Sequence, residues 1–443
     1  MMQLAFWFLY ISAPALTVFL LHVAGERLTR INIVTITTGA LFVFSIIGTL
    51  PLFYAWDEYR YEIGVQDQEL ILKVLFYSAT NIVFFLFGII FFRRVAGLKP
   101  IEYRSQDMHP LKSLQILFLF VLFFVCALVL FDYLTKVDQI AIVVALFEGA
   151  NFAVEARSSM GNSFTGSYHW YSLFMHDIGS LITFTLFALW LKKRNTKFLI
   201  LFVVSLFYSI FAAVMAVEKA PLVWLLVGIF FVYSLAINNG NVSLKNIAIL
   251  SFFLIVIMMF SYMILMGAPD LISAISFTFS RAFAGSISPA YFYLEFFPEH
   301  QDYLMGRTFP NPLGLMPYEP YRYTIEVMNW LFPSLASAGI VGSAPTVFWG
   351  EAYANFGPTG VPMVAFIVGC LTASVSYLVS KIEISPLTIG FNVFLILFFK
   401  DLSITGFSGY LYSVTIIAIT LVTLLVIGIN GKIRIRKKLP RVY

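Results

Sequence analysis

Residues 113–134 read SLQILFLFVLFFVCALVLFDYL, with no charge between Lys112 and Asp132. About 20 such residues, rising 1.5 Å each, match the roughly 30 Å hydrocarbon core of a bilayer. In hydrocarbon every backbone N–H and C=O must be satisfied within its own segment, so the stretch predicts a transmembrane helix. Windows of the same kind begin near Gln3, Ile31, Ile71, Ser172, Phe198, Pro221, Ile247, Pro358, Pro386 and Ser408. The predicted fold class is all-α: a polytopic membrane helical bundle of about 11 transmembrane helices. One integral membrane domain is expected over residues 1–443, with two long extracytoplasmic loops.

Composition agrees. Hydrophobic residues are 60% of the 443 and charged residues 12%, and the mean hydropathy is +0.89. A water-soluble fold has too little polar surface here. Cys126 and Cys370 lie inside apolar runs, so neither disulfide nor metal-site spacing is available. The first run, residues 3–23, has no basic leader and no A-x-A site, and reads as a retained span.

The net charge of +5 is explained by placement and implies no nucleic-acid partner. Basic residues gather at Arg93, Arg94, Lys99, Arg104 and Lys112, at Lys192, Lys193, Arg194 and Lys197, and in the tail 432–441. With Arg27, Arg30, Lys245 and Lys381 they fall on one side, cytoplasmic by the positive-inside rule, which puts the N-terminus outside. The opposite side then carries an acidic loop at 56–70 and the long loops 133–171 and 268–357. Loops of that length are uncommon without a function or structure of their own. Residues 139–147 and 271–283 read as interfacial helices, and 309–321 holds Pro310, Pro312, Pro317 and Pro320, which forbid a regular helix. No paired broken helices of the inverted-repeat kind are visible, which weakens a transporter reading.

Basic residues left on the outer side are Arg60, Lys73, Lys136, Arg157, Lys219, Arg281, Arg307, Arg322 and Lys400. Lys219 sits in a tight connection between spans and Lys400 ends an apolar run; such groups face a cavity, or pair locally with Glu218 and Asp401. Arg157 and Arg281 each precede a glycine by four residues, Gly161 and Gly285, among small residues. Planar guanidinium donors in such a setting suit a phosphate. Glu351 lies just before the apolar run that begins at Pro358. It reads either as a partly desolvated general base or as a structural helix-end charge. His300 is an alternative acid or base. No P-loop, D-x-D or histidine pair at metal spacing occurs, so no metal and no cofactor is expected.

The pattern resembles the bacterial oligosaccharide repeat unit polymerases, the Wzy-type O-antigen and capsule polymerases. The residues that carry the resemblance are Gly350-Glu351-Ala352-Tyr353-Ala354-Asn355-Phe356-Gly357, Tyr303-Leu304-Met305-Gly306-Arg307-Thr308, Ser280-Arg281 with Tyr291-Phe292-Tyr293-Leu294-Glu295, and Lys400-Asp401. The resemblance implies metal-independent, inverting glycosyl transfer at the outer face of the bacterial cytoplasmic (inner) membrane. Undecaprenyl-pyrophosphate-linked oligosaccharides serve as donor and acceptor, with membrane lipid and a chain-length regulator as partners. It implies substrate contacts for Arg157, Lys219, Arg281, Arg307, Arg322, Tyr353 and Lys400, and a base or acceptor-anchoring role for Glu351. Lys219 and Lys400 stand where such proteins often have Arg, and Lys lacks the two-pronged contact. An O-antigen ligase, or a flippase or transporter of the same lipid-linked sugars, are the rival expectations.

Overall fold

The computed structural model describes residues 1–98, 108–162, 164, 166–266, 268–337, 339, 342–411 and 413–429. Lys99, Arg104 and the tail 432–441, read above as cytoplasmic, lie outside the described residues. Among the described residues eleven helices are long and apolar enough to cross a membrane. They are α1 (Met2–Val23), α2 (Ile33–Phe53), α3 (Gln68–Val95), α4 (Ser113–Lys136), α5 (Tyr168–Lys193), α6 (Thr196–Val214), α7 (Ala220–Ile237), α8 (Leu244–Met266), α9 (Phe348–Lys381), α10 (Pro386–Ser403) and α11 (Ser408–Gly428). The chain is a multi-pass, all-α membrane protein.

Small residues set the centre of the bundle. A Cβ on Gly88 of α3 would lie 2.1 Å from the Phe366 carbonyl, and one on Gly369 of α9 would lie 2.0 Å from that of Phe85. Only glycine lets these two backbones meet, the usual device of helix packing in lipid. Gly390 brings α10 against α5 in the same way, its Cβ position 2.6 Å from Thr185 Oγ1. The hydrophobic window of α10 is 83% buried, whereas no residue of α8 from Leu244 to Met263 is buried.

Two ends of the bundle are distinct. At one, Arg93 Nη2 meets Glu26 Oε1 at 2.5 Å, Arg30 bridges Asn241, and the His109 N–H donates to the Ile384 carbonyl at 2.7 Å. The described residues of segments 54–67, 137–167, 215–219 and 268–347 lie at the other. The interfacial segments are helical at Ala141–Phe147 and Leu271–Phe279, with further helices at Ala150–Asn162, Gly285–Phe296 and Tyr323–Leu331.

Two features differ from expectation. First, α9 begins at Phe348, ten residues before Pro358, so the segment holding Glu351 is helix and the preceding loop is correspondingly shorter. A proline here ordinarily breaks the helix because it cannot donate to the carbonyl four residues back. The Ala354 carbonyl, freed by Pro358, instead accepts from Leu304 N–H at 3.0 Å, and Asn355 O accepts from Met305 N–H at 3.0 Å. Second, π-helical turns occur at Val43–Ile47, Leu173–Ile178 and Ser280–Ala284. Each adds one residue to a turn, a rare distortion that is frequent at functional sites.

Candidate functional site

Arg281 rides on the π turn Ser280–Ala284, and its neighbours explain its place. The turn packs so tightly on the end of Val43–Ile47 that a Cβ on Gly48 would lie 2.3 Å from the Phe283 carbonyl. Gly285 leaves room for another guanidinium, since its Cβ position is 2.5 Å from Arg60 Nη2. Arg60 is buried behind Arg281 and donates from Nη1 to Ser280 Oγ at 3.2 Å. The Ser280 hydroxyl donates in turn to Asp57 Oδ2 at 2.6 Å.

Further cations arrive from other segments. Lys219, at the start of α7, holds its Nζ 3.4 Å from the centre of the Tyr262 ring of α8. Arg157, on the helix Ala150–Asn162, meets Glu218 Oε1 at 3.1 Å. Burial lowers the Arg60 pKa; Asp57 works against that shift and Arg281 adds to it. Lys219 is pushed down to about 8, first by burial and then by the charges of Arg157 and Arg281. Arg281 thus sits within electrostatic reach of both Arg60 and Lys219, and Lys219 within reach of Arg157. Arg60 and Arg157 have carboxylate partners, while Arg281 and Lys219 have none among the described residues. Like charges held together without matching acids are the makings of an anion site.

From this cluster a second array runs into the bundle. His176 and Asp177 occupy the π turn Leu173–Ile178 of α5. His176 is in electrostatic reach of Glu218, the partner of Arg157, and Asp177 is in reach of Asp401. Asp401 is ion-paired with Lys400, whose Nζ lies 3.8 Å from the centre of the Trp224 ring of α7. Burying an ion pair this way is worthwhile only when the geometry holds both partners. Lys400 is therefore linked to the outer cluster through charged groups, and does not reach it directly.

No protein-family model, curated protein or solved structure matches the chain. The reading of the site rests on its own geometry.

The other expected residues form a separate group around the loop that precedes α9. Glu351 is 1% exposed. Its Oε2 accepts from the Ser408 N–H at 3.0 Å, the Thr308 and Tyr323 hydroxyls lie beside it, and a Cβ on Gly406 would sit 2.2 Å from Oε2. Its motif companions are braces. Asn355 Nδ2 donates to Thr308 Oγ1 at 2.8 Å, and its Oδ1 accepts from the Gly306 N–H at 2.9 Å. Gly357 has φ 65° and ψ −157°, a conformation essentially reserved to glycine, with Tyr303 against it. Tyr353 is buried between Tyr77 and Tyr303. Arg307 is exposed with its guanidinium over Tyr321, at 5.6 Å. Arg322 is exposed at the start of Tyr323–Leu331. His300 is exposed and rests against Trp330, ring centres 5.0 Å apart.

Three of the expected residues, Arg157, Lys219 and Arg281, are therefore brought together. The sequence reading gave no role to Arg60, His176, Asp177, Trp224 or Tyr262. A signal existed for His176 and Asp177, two adjacent ionisable residues in an otherwise apolar window, where such residues default to function.

Proposed function

We propose that the chain polymerises undecaprenyl-pyrophosphate-linked oligosaccharide repeat units, as the resemblance to the Wzy-type polymerases implies. It would act as a glycosyltransferase at the outer face of a bacterial cytoplasmic membrane. The observation that carries this reading is the convergence of Arg60, Arg157, Lys219 and Arg281, from separate segments, at one end of a membrane bundle with too few acids to neutralise them. A lipid pyrophosphate is the anion that such a cluster suits. Its leaving group gains negative charge as the glycosidic carbon departs, and fixed cations stabilise that charge most where water is scarce. Arg157 and Arg281 supply forked donors, and Lys219 a point charge. Lys400, paired with Asp401 further inside, lies apart from the pyrophosphate contacts in this reading. Glu351, walled in by Ser408, Tyr323 and Gly406, is read as the anchor of the outer loop.

The test is the length distribution of surface polysaccharide in the source organism deleted for this gene and complemented with variants. Arg281→Ala and Lys219→Ala are expected to collapse the ladder to single repeats at unchanged protein level. Long ladders in both variants end the assignment. Polymer of normal length that stays unattached to its final acceptor in the deletion strain points to a ligase.

A further inference from the structure

We infer that Asp177 is the catalytic base of this site. The inference deepens the polymerase reading and rests on it.

Most carboxylates near the cations are already engaged. Asp57 is engaged by Arg60 and Ser280, Glu218 by Arg157 and Asp401 by Lys400. Glu351 is sealed by Ser408, Tyr323 and Gly406. Among the described residues Asp177 has no ion-pair or hydrogen-bond partner, and neither has His176. Yet both lie roughly 12 Å or more below the start of α5, counting 1.5 Å per residue from Tyr168. Ionisable groups at that depth are costly unless they face a cavity or a ligand.

Local structure supports the same assignment. Leu173, Met175 and Ile178 of the π turn are buried against the bundle, while His176 and Asp177 are half-buried, with polar atoms still reachable by solvent. The turn thus leaves its two polar residues less buried than the apolar residues on either side of them. His176 is in electrostatic reach of Glu218, the partner of Arg157, and Asp177 of Asp401, the partner of Lys400. A sugar whose pyrophosphate rests on Arg281, Lys219 and Arg157 would extend toward Asp177. That is the place for the acceptor hydroxyl.

The step balances without any other reagent. The acceptor oxygen forms a bond to the anomeric carbon of the donor, and the bond from that carbon to the pyrophosphate oxygen breaks. Its electron pair goes to the leaving group, beside the cations. The hydroxyl proton passes to an Asp177 carboxylate oxygen and afterwards to water.

The experiment uses the full chain in lipid nanodiscs and in the complemented deletion strain. Farnesyl pyrophosphate serves as the binding probe and polymer formed on endogenous lipid-linked repeats as the activity. Asp177→Asn is expected to bind farnesyl pyrophosphate as the wild type does while polymer formation falls about 100-fold or more, the usual contribution of a general base. Asp177→Glu recovers part of it, and Arg281→Ala loses both binding and polymer. If Asp177→Asn polymerises within threefold of wild type while Arg281→Ala is dead, the base assignment is overturned and the polymerase reading survives. If neither substitution matters, the polymerase reading itself is lost. If Asp177→Asn and Asp177→Glu both fail to fold, Asp177 is structural, and that too overturns the assignment.

Discussion

Lys219 stacks on Tyr262 with Arg157 and Arg281 near, and its pKa of about 8 brings its titration close to neutrality. Because the value lies below the ordinary 10.5, protonated Lys219 is destabilised relative to a free lysine, still predominates at pH 7, and loses its charge as the pH rises through 8. An anion bound beside it restores the proton. Farnesyl pyrophosphate affinity, measured by titration calorimetry in nanodiscs, is therefore expected to fall several-fold from about pH 7 to about pH 9. Lys219→Arg, always charged, is expected to flatten the profile; a flat wild-type profile contradicts the assignment. Gly406 makes a different case. Its Cβ position is 2.1 Å from the Tyr323 hydroxyl and 2.2 Å from Glu351 Oε2, whereas that of Gly409 has nothing within 4 Å. Gly406→Ala is expected to cost about 1–3 kcal/mol by overpacking and to lower the thermal midpoint in detergent, with Gly409→Ala as the unaffected control. Lys219 was legible as a charge between apolar runs, and Arg157 and Arg281 as arginines four residues before a glycine, whereas Arg60 carried no such mark. The burial of Glu351 inside a helix was not, because a helix that runs through Pro358 by lending carbonyls to Leu304 and Met305 leaves no mark in hydropathy.

At the scale of elements, the spans were legible because each is decided locally by some twenty apolar residues. Interfacial helices at Ala141–Phe147 and Leu271–Phe279 were legible for the same reason, as apolar runs too short to cross. The π turns were not, since one extra residue in an evenly apolar run shifts no hydrophobic face that the sequence displays. Yet the π turns carry Arg281 and the His176–Asp177 pair. Deleting Phe174 removes the extra residue from Leu173–Ile178 and lets both halves of α5 keep their packing, while Asp177 is drawn back into a regular turn. The expected result is a protein that expresses and elutes as the wild type does but has lost about 100-fold of its polymer formation, the cost of displacing a reacting group by about an ångström. Full activity in the deletion variant means that the bulge does not position the pair.

For the whole molecule the decisive quantity is the charge difference between its ends. Arg27, Arg30, Arg93, Arg94, Lys112, Lys192, Lys193, Arg194, Lys197, Lys245 and Lys381 share one end, where Glu26 and Glu383 are the only carboxylates among the described residues. Acidic residues crowd the other end, whose basic residues include Arg60, Arg157, Lys219 and Arg281 of the site, while Lys73 and Lys136 are paired locally with Glu69 and Asp132. Insertion retains clustered Lys and Arg on the cytoplasmic side, so the basic end is expected inside and the cation cluster outside. A donor assembled on undecaprenyl pyrophosphate and flipped outward would then meet Arg281 and Lys219 from the outer leaflet, and no crossing of the bundle would be needed. Single cysteines at Asp138 and at Lys197, placed in a background with Cys126 and Cys370 replaced by Ala, test this directly. A membrane-impermeant maleimide on intact spheroplasts is expected to label Asp138→Cys at once and Lys197→Cys only after lysis. The reverse pattern would turn the anion site toward the cytoplasm, where a lipid-linked sugar is built and not polymerised, and would leave the cluster without the substrate its geometry suits.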